Sequence, residues 1–487
     1  MGIRTGQQYL DRLNATTPHV QIEGHVVQAN IAEHPAFRDH ARMIAHLLDM
    51  QHAPEHADAL TFVSPTSGDR VSASYLVPTA LAELEHRRRA AATWAEHTHG
   101  FLGRSGDYLG AMLSALASAD AWFAQADPVF GERIRAYVTR MREEDLVATH
   151  TLIPPQVNRS VSGSEQLGGQ VAAHVIEERD DGIVVRGARM LATGAPVADE
   201  LLVLPSTVLR GGPDDAPYSF AFAIQNDAPG LRYYCRSPLS RGGSFADEPL
   251  ARRFEEMDAL VVFDDVFVPN ERIFMLGHPQ LCNDFYSATG AGALMTHQVV
   301  TRTLAKTEFY LGLASEIAEG IGVERFPHIQ EALGELIAAV EIERAMLRAA
   351  EVDGAVNAYG VFLPRWETLN AARNWYPRAV AHRLPEIIRM LCASGLMALP
   401  GEADFAVPQA RADLELYLQG ASLTGEERVR LFKLALDASV SGFAGRQTLY
   451  EHFFFGDPVR MAGALVQSYD REPVRSRVRE FLARESY

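Results

Sequence analysis

The spacing of apolar residues changes twice along the chain, and the changes divide it into three blocks. In the first, apolar positions recur every three or four residues among Arg, Glu and His, from His40 to Leu48, from Ser72 to Glu96 and from Tyr108 to Ala124. A helix returns to the same face at that interval, so residues 1–150 are predicted to be mainly helical after a short irregular lead. A further run, Pro128 to Val147, carries Arg133, Arg135, Arg140, Arg142, Glu143 and Glu144, a face that reads as solvated.

From 151 to about 275 the pattern shortens. Val171 to Glu178, Gly182 to Met190, Leu201 to Val208, Tyr218 to Gln225 and Ala259 to Val268 are rich in Val, Ile, Phe and Tyr and are separated by Gly, Asp, Pro or Asn. Asp180-Asp181-Gly182 reads as a hairpin turn, so this block is predicted to be a β sandwich or barrel rather than a parallel nucleotide-binding sheet. Helical spacing then returns. Ile329, Leu333, Leu336, Val340 and Leu347 form one stripe, and further runs cover 291–321, 366–394 and 425–441, the signature of long helices in a bundle. Gly322, Gly354 and Gly395 fall where left-handed helix caps are expected. The predicted fold is α+β, mainly α: a helical domain at 1–150, a β domain at 151–278 and a helical bundle at 279–487.

Composition narrows the partners. The 487 residues, 47% hydrophobic and 22% charged, suit a soluble protein with two or three cores. A net charge of −17 repels nucleic acid and anionic membrane alike. No apolar run approaches the roughly 18 residues of a membrane span, and the first residues lack the apolar core of a signal peptide, which points to the cytoplasm. Cys235, Cys282 and Cys392 are too scattered for a disulfide framework or a zinc or iron–sulfur site, and no metal site is expected. His97 and His99 lack a completing carboxylate cluster and read as exposed or helix-capping residues. GxGxxG, Walker and GxSxG motifs are all missing.

Two stretches carry candidate chemistry. Gly103-Arg104-Ser105-Gly106-Asp107-Tyr108 stands at a helix start, with Arg104 and Tyr108 four residues apart and able to point the same way. His150 precedes Pro154-Pro155, where helix gives way to sheet. A converging cation, phenol and imidazole would suit an ionisable aromatic substrate.

These stretches resemble the flavin-dependent 4-hydroxyphenylacetate 3-monooxygenase oxygenase components. Gly103 to Tyr108 is similar to that family's Gly-Arg-x-x-Asp-Tyr, and His150 to Arg159 to its His followed by Pro-Gln-Val-Asp-Arg, with Asn158 in place of the Asp. Leu191-Ala192-Thr193 resembles a flavin-contacting turn, and Ser441 to Arg446 with Leu449-Tyr450-Glu451 the C-terminal flavin-contacting segment. The resemblance implies an acyl-CoA-dehydrogenase-like fold, a homotetramer and reduced FAD supplied as co-substrate by a separate NAD(P)H:flavin reductase. It further implies O2 addition to give a C4a-hydroperoxyflavin and hydroxylation of a phenol, free or carrier-tethered, ortho to its OH. By the same resemblance Arg104, Tyr108 and His150 would act at the phenol oxygen. His150, Thr151, Gln156, Val157, Asn158, Arg159, Thr193, Ser441, Gly442, Phe443, Ala444 and Arg446 would hold FAD. Ser206 and Thr207 would touch the far end of the substrate. The competing expectation is an acyl-CoA dehydrogenase-like desaturase with Glu451 as its base, and a flavin-free scaffold is a third.

Overall fold

The computed structural model describes residues 2–27, 30–158, 160–161, 163–205, 209 and 211–484. Its first block contains the helices Gly6–Ala15, Arg38–Met50, Leu81–His97, Gly106–Ser118 and Pro128–Glu143. The helix expected from Ser72 begins only at Leu81, because Arg70–Ser72 is a strand and Pro78 disfavours helix in the residue before it. Nor does the last helix reach Val147. It ends at Glu143, Asp145 turns the chain at φ 48°, and Ala148–Thr151 is already a strand, so His150 lies within sheet rather than at a helix end. The lead expected to be irregular supplies two strands, His19–Ile22 and His25–Val27.

Among the described residues the strands build a sandwich. One sheet runs His25–Val27, His19–Ile22, Leu231–Cys235, Asp258–Pro269, Gly182–Thr193, His174–Arg179. It is antiparallel except where His19–Ile22 meets Leu231–Cys235. The other runs Ile273–Leu276, Phe220–Gln225, Glu200–Val203, Ala148–Thr151, its last pair parallel. Rings close the gap between the sheets, with Phe222 meeting Phe263 edge-on at 6.3 Å. The Asp180-Asp181-Gly182 hairpin forms as expected, and Gly182 is required there, since a Cβ would lie 2.2 Å from the Val268 carbonyl oxygen.

Helix returns at Pro279–Ala288 and continues through Ala291–Gly320, Pro327–Val352, Trp366–Ala379, Arg383–Cys392, Gly425–Ser439 and Gly442–Phe453. The run expected over 366–394 is two helices broken at 380–382. Ile329, Leu336, Val340 and Leu347 are buried, as their stripe requires. Gly322 takes a left-handed φ of 73° as a cap, but Gly354 and Gly395 do not: a Cβ there would meet the rings of Phe362 and Phe432 at 2.6 and 2.7 Å. Among the described residues no helix is long and apolar enough to cross a membrane.

Residues 101–108 stitch these parts together. Phe101 belongs to the bundle core with Tyr310 and Phe443, Leu102 packs with Trp94 in a small cluster, and Tyr108 joins the core shared by the first helices and the sandwich. The short motif thus sits where three apolar clusters meet.

Candidate active site

Sheet alternation aims His150. Successive side chains of a strand face opposite ways, and both neighbours of His150 face the larger sheet. The Thr149 hydroxyl donates to the Thr193 carbonyl at 2.5 Å and the Thr151 hydroxyl to the Met190 carbonyl at 3.1 Å. His150 therefore points the other way, onto Tyr108, with ring centroids 5.8 Å apart. Both side chains are buried.

Arg104 completes the group from the turn before the helix Gly106–Ser118. Its guanidinium carbon stands 4.9 Å from the Tyr108 ring, 5.6 Å from Tyr450 and 5.1 Å from Phe454, and its Nη1 donates to the Tyr450 hydroxyl at 2.6 Å. Three rings thus hold one cation by their faces. Gly103 has to be glycine, because a Cβ would sit 2.2 Å from the Tyr450 hydroxyl oxygen. The convergence of Arg104, Tyr108 and His150 expected from sequence is present, and Tyr450 and Phe454 are the partners that spacing alone did not assign.

Two polar atoms at this cluster are buried and unmatched: Arg104 Nε and His150 Nδ1. Burial, and then the charge of Arg104, holds the His150 imidazole well below its ordinary range, so the ring is neutral at pH 7. Burial raises the Tyr108 phenol, which keeps its proton. A cation and a neutral imidazole with free bonding capacity can receive one polar group, donating to it from the first and accepting its proton at the second.

Behind the cluster lies a carboxylate relay. Glu256 accepts from the Arg104 backbone N–H at 2.6 Å and from Arg446 Nη1 at 3.2 Å. Asp258 accepts from Arg446 at 2.8 and 3.0 Å, from Arg236 at 3.1 Å and from the Thr193 hydroxyl at 2.7 Å. Burial alone would raise Asp258, but the charges and bonds of Arg446 and Arg236 outweigh it and hold the carboxyl far below its usual range. Arg446 and Thr193, both expected to hold FAD, are thereby fixed relative to Arg104 through two acids. The full guanidinium of Arg446 is engaged in that network.

The remaining expected cofactor residues divide by exposure. Ser441 caps the helix Gly442–Phe453, accepting from the Ala444 N–H at 3.1 Å. Phe443 and Ala444 turn into the bundle core, whereas Gly442 and Gly445 face outward and a Cβ on Gly445 would meet nothing within 4 Å. Thr151 is buried, while Gln156, Val157 and Asn158 are exposed. Arg159, Ser206 and Thr207 lie outside the described residues. Just beyond, Leu209 is clasped by Asn283, which accepts from its N–H at 2.8 Å and donates to its carbonyl at 2.9 Å.

Glu451 is fully occupied. It takes two bonds from Arg302, at 2.6 and 2.9 Å, and one from Lys306 at 2.5 Å, and these cations pull it down to about 2 although burial acts to raise it. A carboxylate so paired is not free to abstract a substrate proton, which removes the basis of the desaturase reading. His97 and His99 are exposed, as expected.

Comparison with known proteins places this geometry. The family described as 4-hydroxyphenylacetate 3-hydroxylase matches in its N-terminal part over residues 5–275 and in its C-terminal part over residues 282–483. The 4-hydroxyphenylacetate 3-monooxygenase oxygenase component of Thermus thermophilus is 45% identical over 479 residues, 98% of this chain and 97% of that one. The protein of the same name from a Geobacillus species is 44% identical over 482 residues, 99% of this chain and 97% of its own. A crystal structure of such an oxygenase component complexed with FAD and 4-hydroxyphenylacetate superposes with a TM-score of 0.94 at 45% identity, covering 98% of each chain.

Proposed function

The chain belongs to the 4-hydroxyphenylacetate 3-hydroxylase family, and from that premise we propose that it is the oxygenase component of a two-component monooxygenase that hydroxylates 4-hydroxyphenylacetate ortho to its phenol OH. The observation that carries the reading is the pair of unmatched buried atoms, Arg104 Nε and His150 Nδ1, on two side chains that both pack against the Tyr108 ring. The phenol oxygen of the substrate meets both. His150, neutral, accepts the phenolic proton at Nδ1, and Arg104 stabilises the negative charge left on oxygen. Charge delocalised from a phenolate raises electron density at the ortho carbons, where the new C–O bond forms. Tyr108, kept protonated by burial, is a further donor at the same oxygen.

FAD fits the residues that remain. Gly442 and Gly445 offer a helix surface without side chains, Ser441 caps that helix, and Gln156, Val157 and Asn158 are open to receive a planar cofactor. Thr193, tied to Asp258, would contact it from the sheet, and Arg446 would hold that wall in place. When bound in reduced form, FAD supplies the electrons that activate O2. Phe454, Tyr450 and Tyr108 keep water from the oxygen-transfer site.

Reduced FAD comes from a separate NAD(P)H:flavin reductase, in keeping with a chain that lacks a dinucleotide fingerprint. The working form is a homotetramer. The purified chain should therefore leave NADH unconsumed and convert 4-hydroxyphenylacetate to its 3-hydroxy product once a flavin reductase is added. NADH oxidation by the chain alone, or failure to hydroxylate with reduced FAD in hand, would overturn this function.

A further inference from the structure

One buried carboxylate touches both halves of the site. Glu256, 1% exposed, stands just before the strand Asp258–Pro269 and divides its oxygens, Oε1 accepting from the Arg104 backbone N–H at 2.6 Å and Oε2 from Arg446 Nη1 at 3.2 Å. Its own carbonyl accepts from Arg236 Nη2 at 2.7 Å, which pins its backbone. Arg446 and Tyr450 lie one turn apart on the helix Gly442–Phe453 and so share a face, with the Arg446 guanidinium carbon 4.9 Å from the centre of the Tyr450 ring. The Tyr450 hydroxyl in turn accepts from Arg104 Nη1. Arg104, Glu256, Arg446 and Tyr450 therefore close a ring of contacts in which every member touches two others.

Charge matching does not explain this carboxylate. Asp258 already takes two bonds from Arg446, at 2.8 and 3.0 Å, so that guanidinium has its anion without Glu256. Toward Arg104, Glu256 takes the backbone N–H, which fixes the turn while leaving the side chain to Tyr450 and to the phenol oxygen. One end of the ring is thus the cation assigned to the substrate, and the other is the cation that braces Asp258 and Thr193 on the cofactor wall. We propose that Glu256 is a positioning residue that couples the two halves, so that the phenol and reduced FAD each bind more tightly in the presence of the other. Whichever ligand arrives first orders the shared ring, and the second meets a half-site already in place. Such coupling is reciprocal: the factor by which the phenol tightens FAD equals the factor by which FAD tightens the phenol. The inference rests on the phenol-hydroxylase reading and deepens it, adding a residue that acts on the ligands only through Arg104 and Arg446.

The test titrates reduced FAD, without oxygen, into the wild type, Glu256→Gln and Tyr450→Phe, in the presence and absence of saturating 4-hydroxyphenylacetate. The readout is the ratio of the two FAD dissociation constants, which a general loss of structure does not move because it weakens both alike. The wild type should show a ratio of about fivefold or more, the lower end of typical coupling between sites. Glu256→Gln keeps size and shape but replaces one acceptor oxygen by a donor, so it cannot receive both Arg104 and Arg446, and its ratio should fall to about twofold or less. Tyr450→Phe opens the ring on its other side and should also lower the ratio, which keeps the proposal open to test if Glu256→Gln does not fold. A wild type whose FAD affinity ignores the phenol, or variants that keep the wild-type ratio while binding FAD less tightly throughout, would overturn the proposal and leave Glu256 as a structural brace for Arg446. A wild type that fails to hydroxylate 4-hydroxyphenylacetate once oxygen is admitted would instead overturn the functional reading on which it rests.

Discussion

At the scale of single residues, burial decides which groups carry charge. His40 lies under the relay, 5% exposed, with Nε2 unpartnered. Burial lowers it from 6.5 to about 4, a shift that Glu256 and Asp258 oppose and Arg446 assists. Between those values the unfolded chain binds a proton that the folded protein refuses, so stability rises with pH through this window and falls as pH drops below 6.5. Buried, neutral His150 acts in the same direction. His40 alone should cost about 2 kcal/mol between pH 7 and pH 5. Urea midpoints at the two pH values, for the wild type and His40→Gln, check this: the variant should lose visibly less on acidification, and an equal loss would contradict it. Residue type and order were enough to mark Arg104, Tyr108 and His150, because each sits in a short distinctive string. Tyr450 and Glu256 were not legible as partners, since the bonds they make to Arg104 span 346 and 152 residues, and no local period reports on such a pairing. Phe454 is hidden in a run of three phenylalanines.

At the scale of elements, the helix Gly442–Phe453 links the bundle to the site. Its Tyr450 meets Arg104, its Arg446 meets Glu256 and Asp258, and its Glu451 meets Arg302 and Lys306 on the helix Ala291–Gly320. Removing the negative partner of a buried ion pair leaves uncompensated cations, so Glu451→Gln should destabilise the protein by about 3–5 kcal/mol. A chemical denaturation curve gives the value. A variant of unchanged stability that had lost only turnover would contradict it and revive Glu451 as a base. Sequence periodicity found the long helices well because they present whole apolar stripes. It failed for His19–Ile22 and His25–Val27, four and three residues long, too short to show alternation, the first paired in parallel with a strand more than 200 residues away and the second held at the sheet edge by the first. Gly354 and Gly395 depart from the expected caps for a different reason: a glycine that admits a neighbouring ring looks, in sequence, like a glycine required for its φ.

At the scale of the whole molecule, the C-terminal helices Pro458–Ser468 and Glu472–Leu482 bury none of their residues. They expose Val459, Val466, Val478, Phe481 and Leu482, an apolar surface of the kind that subunits cover in one another. Truncation after residue 457 should therefore reduce the proposed homotetramer to a smaller assembly while each subunit remains folded. Light scattering beside circular dichroism checks it, and an unchanged tetramer would place the interface elsewhere. The three-block layout was legible from period alone, with the sandwich between two helical regions. The junction was less so, because the strand Ala148–Thr151 crosses the boundary expected at 150 and carries His150 into the sheet.

The proposed action of Arg104 and His150 on the phenol oxygen, and not on the cofactor, is reached by a single experiment. Wild type, Arg104→Ala and His150→Ala are each mixed with reduced FAD, O2 and 4-hydroxyphenylacetate, and hydroxylated product and hydrogen peroxide are both counted, with FAD affinity measured alongside. The wild type should form mainly product. Each variant should retain FAD and consume O2 yet release mostly peroxide, with a hydroxylation step slower by roughly thirtyfold to a thousandfold, the loss expected for a charge-assisted bond worth about 2–4 kcal/mol. Normal coupling in His150→Ala, or loss of FAD by Arg104→Ala with substrate affinity intact, would contradict the assignment.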